Sequence, residues 1–93
     1  MAIEFRDNDE GYLQWLDGHP AGFVLNTSRP AKADYLILHR ATCGTITGNP
    51  ARGSRWTTGD YQKICAEHRS ELDRWAHVTA GGTPTRCSLC KPG

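Results

Sequence analysis

Four side chains of the metal-ligand type occur in this chain as two close pairs, and they constrain its fold more than any other feature. Cys87 and Cys90 form a C-x2-C pair, and His39 and Cys43 form an H-x3-C pair upstream of it. Two such pairs on separate segments are typical of a tetrahedral structural zinc site. Because a chain of 93 residues buries only a small core, a bound ion would contribute much of its stability.

Cys65 leaves the identity of the fourth ligand open. It lies between Cys43 and Cys87 in the sequence, and its thiol can replace the His39 imidazole to give an all-cysteine site. The spacing favours His39, which is close to Cys43 and ends a predicted strand. If His39 is the ligand, Cys65 is expected to be a small buried apolar side chain. The alternatives to a metal site are four unrelated buried thiols or two disulfides, and the disulfides would require an oxidising compartment.

The composition describes one soluble globular domain over residues 1–93. Hydrophobic residues make up 38% of the chain, and the mean hydropathy is −0.58, which excludes a disordered or membrane-embedded class. The first residues lack the basic region and apolar stretch of a signal peptide. We therefore expect a cytoplasmic protein, in which clustered cysteines bind metal more often than they form disulfides.

The predicted fold class is α+β: an N-terminal helix, about three antiparallel strands and one longer helix. Cap-type and acidic residues at 7–10 begin the first helix, and Gly18 with Pro20 ends it. A helix starting at Asp60 is the alternative to the third strand. Residues 1–38 form an N-terminal helix and strands, and residues 39–93 form the zinc module. The predicted strands are 22–26, 35–39 and 61–65, and the longer helix is 66–76, followed by Gly81 and Gly82.

Charge is distributed unevenly along the chain. Residues 1–34 contain six acids and three bases, whereas residues 35–93 contain eight bases and four acids. Residues 35–59 contain no acid at all, and this pattern permits a surface that faces a polyanion. The candidate nucleic-acid contacts are six of the eight basic residues between 35 and 93, together with one tryptophan: Arg40, Arg52, Arg55, Trp56, Lys63, Arg86 and Lys91.

The stretch from His39 to Pro92 resembles the small Ada-like zinc-binding modules of bacterial DNA-repair and nuclease-associated proteins. Those modules run from a strand-end (H/C)-x3-C through a strand, a helix and a glycine to a closing C-x2-C-[KR]-P, which here is Cys87 to Pro92. The resemblance covers a little over half of the chain. It implies one structural Zn²⁺, DNA as a partner, and a fused or associated nuclease or other protein. The Ada domain uses four cysteines and methylates one of them, so the histidine here argues against alkyl transfer.

The sequence contains no pair of carboxylates placed for acid–base catalysis, no nucleophile elbow and no phosphate-binding loop. We therefore predict a non-catalytic, zinc-stabilised module that binds nucleic acid, with DNA as the expected partner. A protein-interaction module with a purely structural zinc and an acidic N-terminal docking face is the alternative. A third class is a thiolate-based repair or redox activity at Cys65 or Cys43.

Overall fold

The computed structural model describes residues 2–44, 46, 56–57 and 61–90. It confirms the α+β class. The glycine-rich stretch 47–59, which the sequence predicts to be a loop, lies outside the described residues except for Trp56 and Thr57. The elements are, in chain order, β1 (Ile3–Phe5), α1 (Asp9–Gly18), β2 (Phe23–Ser28), β3 (Leu36–Arg40), β4 (Tyr61–Ala66), α2 (Arg69–Trp75), a π-helical segment (Ala76–Ala80) and β5 (Thr85–Arg86).

The strands form one sheet in the order β1-β4-β2-β3-β5. All neighbouring strands are antiparallel except β3 and β5, which are parallel. The three predicted strands correspond to β2, β3 and β4 at the centre of the sheet, and β4 replaces the alternative helix from Asp60. The predicted count of about three was too low because β1 and β5 are edge strands of three and two residues. Strands this short carry no readable alternation.

The alternation of the central strands divides the core between the two faces of the sheet. Val24 of β2 pairs with His39 of β3 and with Cys65 of β4, and these side chains belong to the face that α1 covers. Leu25 pairs in the same way with Leu38 and Ile64, on the face that α2 covers. The predicted metal ligand His39 therefore lies on the α1 side of the sheet.

Helix α1 follows the predicted boundaries closely. The Asn8 side chain accepts a hydrogen bond from the backbone N–H of Gly11 at 3.0 Å, which caps the helix at the predicted acidic start. The helix buries Tyr12, Trp15 and Leu16 against the sheet. Gly22, at the start of β2, is required by this packing, because a Cβ there would lie 2.6 Å from the Trp15 ring.

Helix α2 begins three residues later than predicted, because Ala66 still belongs to β4. Leu72 is its fully buried contact with the sheet. The helix continues as the π-helical segment and ends at Gly81, whose φ of 70° favours glycine. The predicted glycine stop is confirmed. None of the helices in the described residues is long and apolar enough to cross a membrane.

Buried polar contacts attach residues 56–57 to α1 and to the sheet. The Asp9 carboxylate accepts hydrogen bonds from the backbone N–H groups of Trp56 and Thr57 and from the Thr57 hydroxyl, at 2.6–2.8 Å. Lys63 Nζ donates to the Trp56 carbonyl at 3.0 Å and to Asn26 Oδ1 at 2.7 Å. Burial acts to raise the pKa of Asp9, but these donors outweigh it and lower the pKa. The Asp9 carboxylate therefore joins residues 56–57 to α1.

Replacing Asp9 with alanine should destabilise the fold, since the substitution leaves two backbone N–H groups and one hydroxyl without their acceptor. We expect Asp9→Ala to lower the free energy of unfolding by about 2–4 kcal/mol in urea denaturation. Glu10→Ala is the matched control, because Glu10 is also an acid in the first turn of α1 but is exposed. Equal stabilities of the two variants would show that the Asp9 contacts contribute nothing specific.

Candidate metal centre

The two predicted ligand pairs come together in the folded chain. His39, Cys43, Cys87 and Cys90 each offer one ligand atom, and all four atoms lie within 4.8 Å of one another. The group lies at the C-terminal end of β3, on the face of the sheet that α1 covers. Four donors this close, from two separate segments, can hold one metal ion.

The first pair is positioned by β3 and the turn that follows it. His39 is the fourth residue of β3, so the strand alternation aims its imidazole at the α1 face. The Cys43 backbone N–H then donates to the Arg40 carbonyl at 3.0 Å, which closes a turn and brings the Cys43 thiol back toward His39. Both side chains are buried, with exposed fractions of 6% for His39 and 4% for Cys43.

The second pair is positioned by contacts with β3. The Cys87 backbone N–H donates to the Leu38 carbonyl at 2.8 Å, which extends the pairing of β5 and places Cys87 beside His39. Arg40 holds Cys90 through two contacts. Its backbone N–H donates to Cys90 Sγ at 3.2 Å, and its guanidinium Nε donates to the Cys90 carbonyl at 3.0 Å.

The His39 imidazole has the chemical state that a metal ligand needs. Within the described residues its Nδ1 atom is buried and has no hydrogen-bond partner, and an unpaired buried nitrogen is costly unless something binds it. Burial, with a smaller contribution from the charge of Lys63, lowers the pKa of His39 to about 4. The ring is therefore neutral near pH 7, and a lone pair is free to bind metal.

The sulfur atoms are surrounded by hydrogen-bond donors. Burial acts to raise the pKa of Cys87, but backbone N–H groups of Cys90 and Leu89 and the neighbouring thiols outweigh it and lower the pKa. For Cys90, burial and the thiols of Cys43 and Cys87 raise the pKa despite the Arg40 N–H. The backbone N–H groups at Cys87 favour its thiolate, which is the form that binds metal, whereas at Cys90 a bound cation would be needed to favour the thiolate.

Cys65 lies outside this group. It shares the α1 face with His39, but Val24 of β2 pairs between them, so two strand spacings of about 4.8 Å each separate the two backbones. Its side chain is fully buried, and burial raises its pKa. The structure therefore places Cys65 in the core next to Tyr12 and Trp15, as expected for the case in which His39 is the ligand.

Two of the candidate nucleic-acid contacts, Lys63 and Trp56, have buried side chains. Lys63 is 4% exposed, and its ammonium group is engaged by Asn26 and the Trp56 carbonyl. Burial lowers the pKa of Lys63 to about 8, although Asp9 and Cys65 act to raise it. Trp56 is 8% exposed and packs against Tyr12, with ring centroids 6.4 Å apart. Neither side chain can reach a phosphate or a base in this conformation.

The other candidate contacts divide into two groups. Arg40 and Arg86 are exposed, and both lie beside the metal ligands, Arg40 directly after His39 and Arg86 directly before Cys87. The predicted contacts Arg52, Arg55 and Lys91 lie outside the described residues.

Sequence reasoning missed the residues that support the site. Arg40 was identified only as a possible phosphate contact, although it also fixes Cys90. The apolar Leu89 lies within the C-x2-C turn and is 74% exposed. The position of Arg40 next to a metal-ligand histidine was the one available signal for its second role.

Comparisons of the chain with protein-family models, with curated proteins and with solved structures found no match. The resemblance to the Ada-like modules therefore stays a prediction from the motif.

Substitution of single ligands should distinguish the four clustered residues from Cys65. We expect His39→Ala and Cys90→Ala to reduce metal content well below one ion per chain, because three donors leave the shell incomplete. Cys65→Ala should keep one ion per chain and lose only packing stability. Elemental analysis of purified, folded protein measures both. A full metal content in His39→Ala together with a loss in Cys65→Ala would assign the fourth ligand to Cys65.

Proposed function

We propose that this chain is a non-catalytic module stabilised by one structural Zn²⁺ and that it binds nucleic acid, most readily DNA. The observation that carries the zinc part is the convergence of His39, Cys43, Cys87 and Cys90 within 4.8 Å. One imidazole nitrogen and three thiolates form a Cys3His set, which is a common structural zinc shell. In this assignment all four tetrahedral positions belong to the protein, which leaves no open position for a substrate or a catalytic water.

The place of the site in the fold supports a structural role. His39 lies in β3 and Cys43 in the turn after it, whereas Cys87 and Cys90 follow β5, an edge strand of two residues. Such a short strand adds little stability by itself. A bound ion would therefore hold the C-terminal segment against β3 at the point where backbone pairing is weakest.

Removing the ion should unfold at least the part of the chain around β5 and the metal ligands. Metal binding to sites of this kind contributes on the order of 10 kcal/mol to folding. We expect a strong chelator to lower the melting temperature and change the circular dichroism, and added Zn²⁺ to restore both. A melting curve that the chelator leaves unchanged would contradict a structural zinc.

The nucleic-acid part of the proposal is supported by the basic residues around the metal ligands. Arg40 and Arg86 are exposed on the two segments that carry the ligands, and no acid occurs between residues 35 and 59 or after Asp73. Arg40 uses its Nε atom to hold the Cys90 carbonyl. Arg86 is therefore the arginine to test first, because its substitution leaves that contact intact.

Binding of DNA should depend on Arg86 and on salt. We expect Arg86→Gln to weaken binding of a fluorescent duplex several-fold and to reduce the slope of log K against log salt by about one. Arg74→Gln is the matched control, because Arg74 is an exposed arginine on α2. Equal affinities of the two variants would remove Arg86 from the interface. Absence of binding by the wild type to duplex and single strands at low salt would contradict the proposal.

A protein-interaction module is the second candidate, favoured by an open hollow beside α2. The hollow has a volume of about 420 Å³, and Val78 on its wall is 73% exposed. Trp75 also lines it and donates to the Glu4 carboxylate at 2.9 Å. Val78→Lys should abolish association with a protein partner while leaving DNA binding unchanged, and the reverse result would favour the nucleic-acid role.

A further inference from the structure

We infer that the metal centre is also a site of reversible thiol oxidation, in which a peroxide converts Cys90 and Cys87 into a disulfide and releases the ion. The inference rests on the zinc part of the proposed function and adds a regulation of that site. It does not require nucleic-acid binding. The reacting thiols are those of Cys90 and Cys87, rather than those of Cys65 and Cys43, which the sequence left open for a thiolate-based activity.

The positions of the four thiols single out Cys90. Cys43 is 4% exposed, Cys87 is 8% exposed and Cys65 is fully buried, whereas Cys90 is partly exposed. Cys90 also follows the exposed Ser88 and Leu89 in its turn, so neither of these two side chains is packed over it. A dissolved oxidant therefore reaches the Cys90 sulfur before the other three.

A second thiol is already within reach of Cys90. The sulfur atoms of Cys87 and Cys90 belong to the group within 4.8 Å, and the two residues share one tight turn. A disulfide requires the sulfur atoms to approach to about 2.05 Å. A C-x2-C turn allows this approach with little change in the backbone, whereas a bond to Cys43 would pull the turn after β3 toward the C-terminal segment.

The chemistry proceeds in two balanced steps. The Cys90 thiolate attacks one oxygen of hydrogen peroxide, the O–O bond breaks, and the departing hydroxide takes a proton to give water and Cys90 sulfenic acid. The Cys87 thiolate then attacks the Cys90 sulfur, the S–O bond breaks, and a second hydroxide takes a proton and leaves as water. Two thiolates are oxidised by two electrons, and one peroxide is reduced to two waters.

The disulfide removes two of the four donors. His39 and Cys43 remain, and two donors do not hold zinc tightly. Release of the ion should loosen the C-terminal segment, because β5 has only two residues with which to pair with β3. A dithiol reductant and Zn²⁺ should restore the site, since a disulfide is the reversible product of thiol oxidation.

The test begins with zinc-loaded wild-type protein whose metal content has been measured. After a small excess of hydrogen peroxide, we expect a colorimetric assay to detect one released zinc per chain. The mass of the denatured, metal-free chain should be about 2 Da below that of the reduced chain. A preparation that holds no zinc before the oxidant is added contradicts the proposed function rather than this inference. Retention of zinc by a zinc-loaded sample, or a mass gain of whole oxygens, would overturn the inference.

Tryptic mapping then identifies the bonded pair. Trypsin places Cys87 and Cys90 together on residues 87–93, Cys43 on residues 41–52 and Cys65 on residues 64–69. We expect residues 87–93 as an internally bonded peptide about 2 Da lighter than the reduced form. A cross-link between residues 41–52 and 87–93, or oxidation confined to residues 64–69, would overturn the assignment.

The variants Cys65→Ala and Cys90→Ser distinguish oxidation at the metal site from oxidation of a thiol elsewhere in the chain. Cys65→Ala should release zinc at the wild-type rate. In the fraction of Cys90→Ser that binds zinc, release of the ion by peroxide should be roughly tenfold slower than in the wild type, because the remaining thiols are buried. If Cys90→Ser does not fold, alkylation of zinc-loaded wild type with a limiting maleimide provides the second measurement. Labelling of Cys90 before the other thiols supports the inference, and equal labelling of all four overturns it.

Discussion

The pairing of the C-terminal segment with β3 is the interaction on which the functional site depends. The Cys87 N–H bond to the Leu38 carbonyl and the two contacts from Arg40 to Cys90 bring the second ligand pair to the first. Each of these bonds alone is worth about 1 kcal/mol. Together they align four donors that no single segment could supply, and a bound ion would add the larger share of the stability.

The sheet separates two packed layers of side chains, one on each of its faces. On the α1 face, the metal ligands and a buried polar network around Asp9 and Lys63 lie in one layer with the aromatic side chains of the helix. The α2 face contains a separate apolar cluster around Leu72. A perturbation of the candidate metal site is therefore expected to act first on the α1 layer, since the His39 side chain lies on that face of the sheet.

Much of the fold followed from local patterns. The start of α1 at Asp9, the three central strands and the stop at Gly81 correspond to residues whose preferences are short-range: caps, alternation and a left-handed glycine. The short strands β1 and β5 could not be read in this way. They exist because the central sheet offers them unpaired edges, and edge pairing depends on partners that are distant in the sequence.

The sequence by itself identified three of the candidate donors, Cys43, Cys87 and Cys90, and narrowed the fourth to His39 or Cys65, because the spacing of these residues forms two ligand pairs with Cys65 between them. Only the tertiary structure decided between His39 and Cys65, since the strand register places Val24 between them. It also decided that Lys63 and Trp56 are buried rather than exposed. A lysine and a tryptophan can both contact a nucleic acid, but the sequence does not show whether their side chains point into the core or into solvent. That orientation is set by the packing of α1 on the sheet.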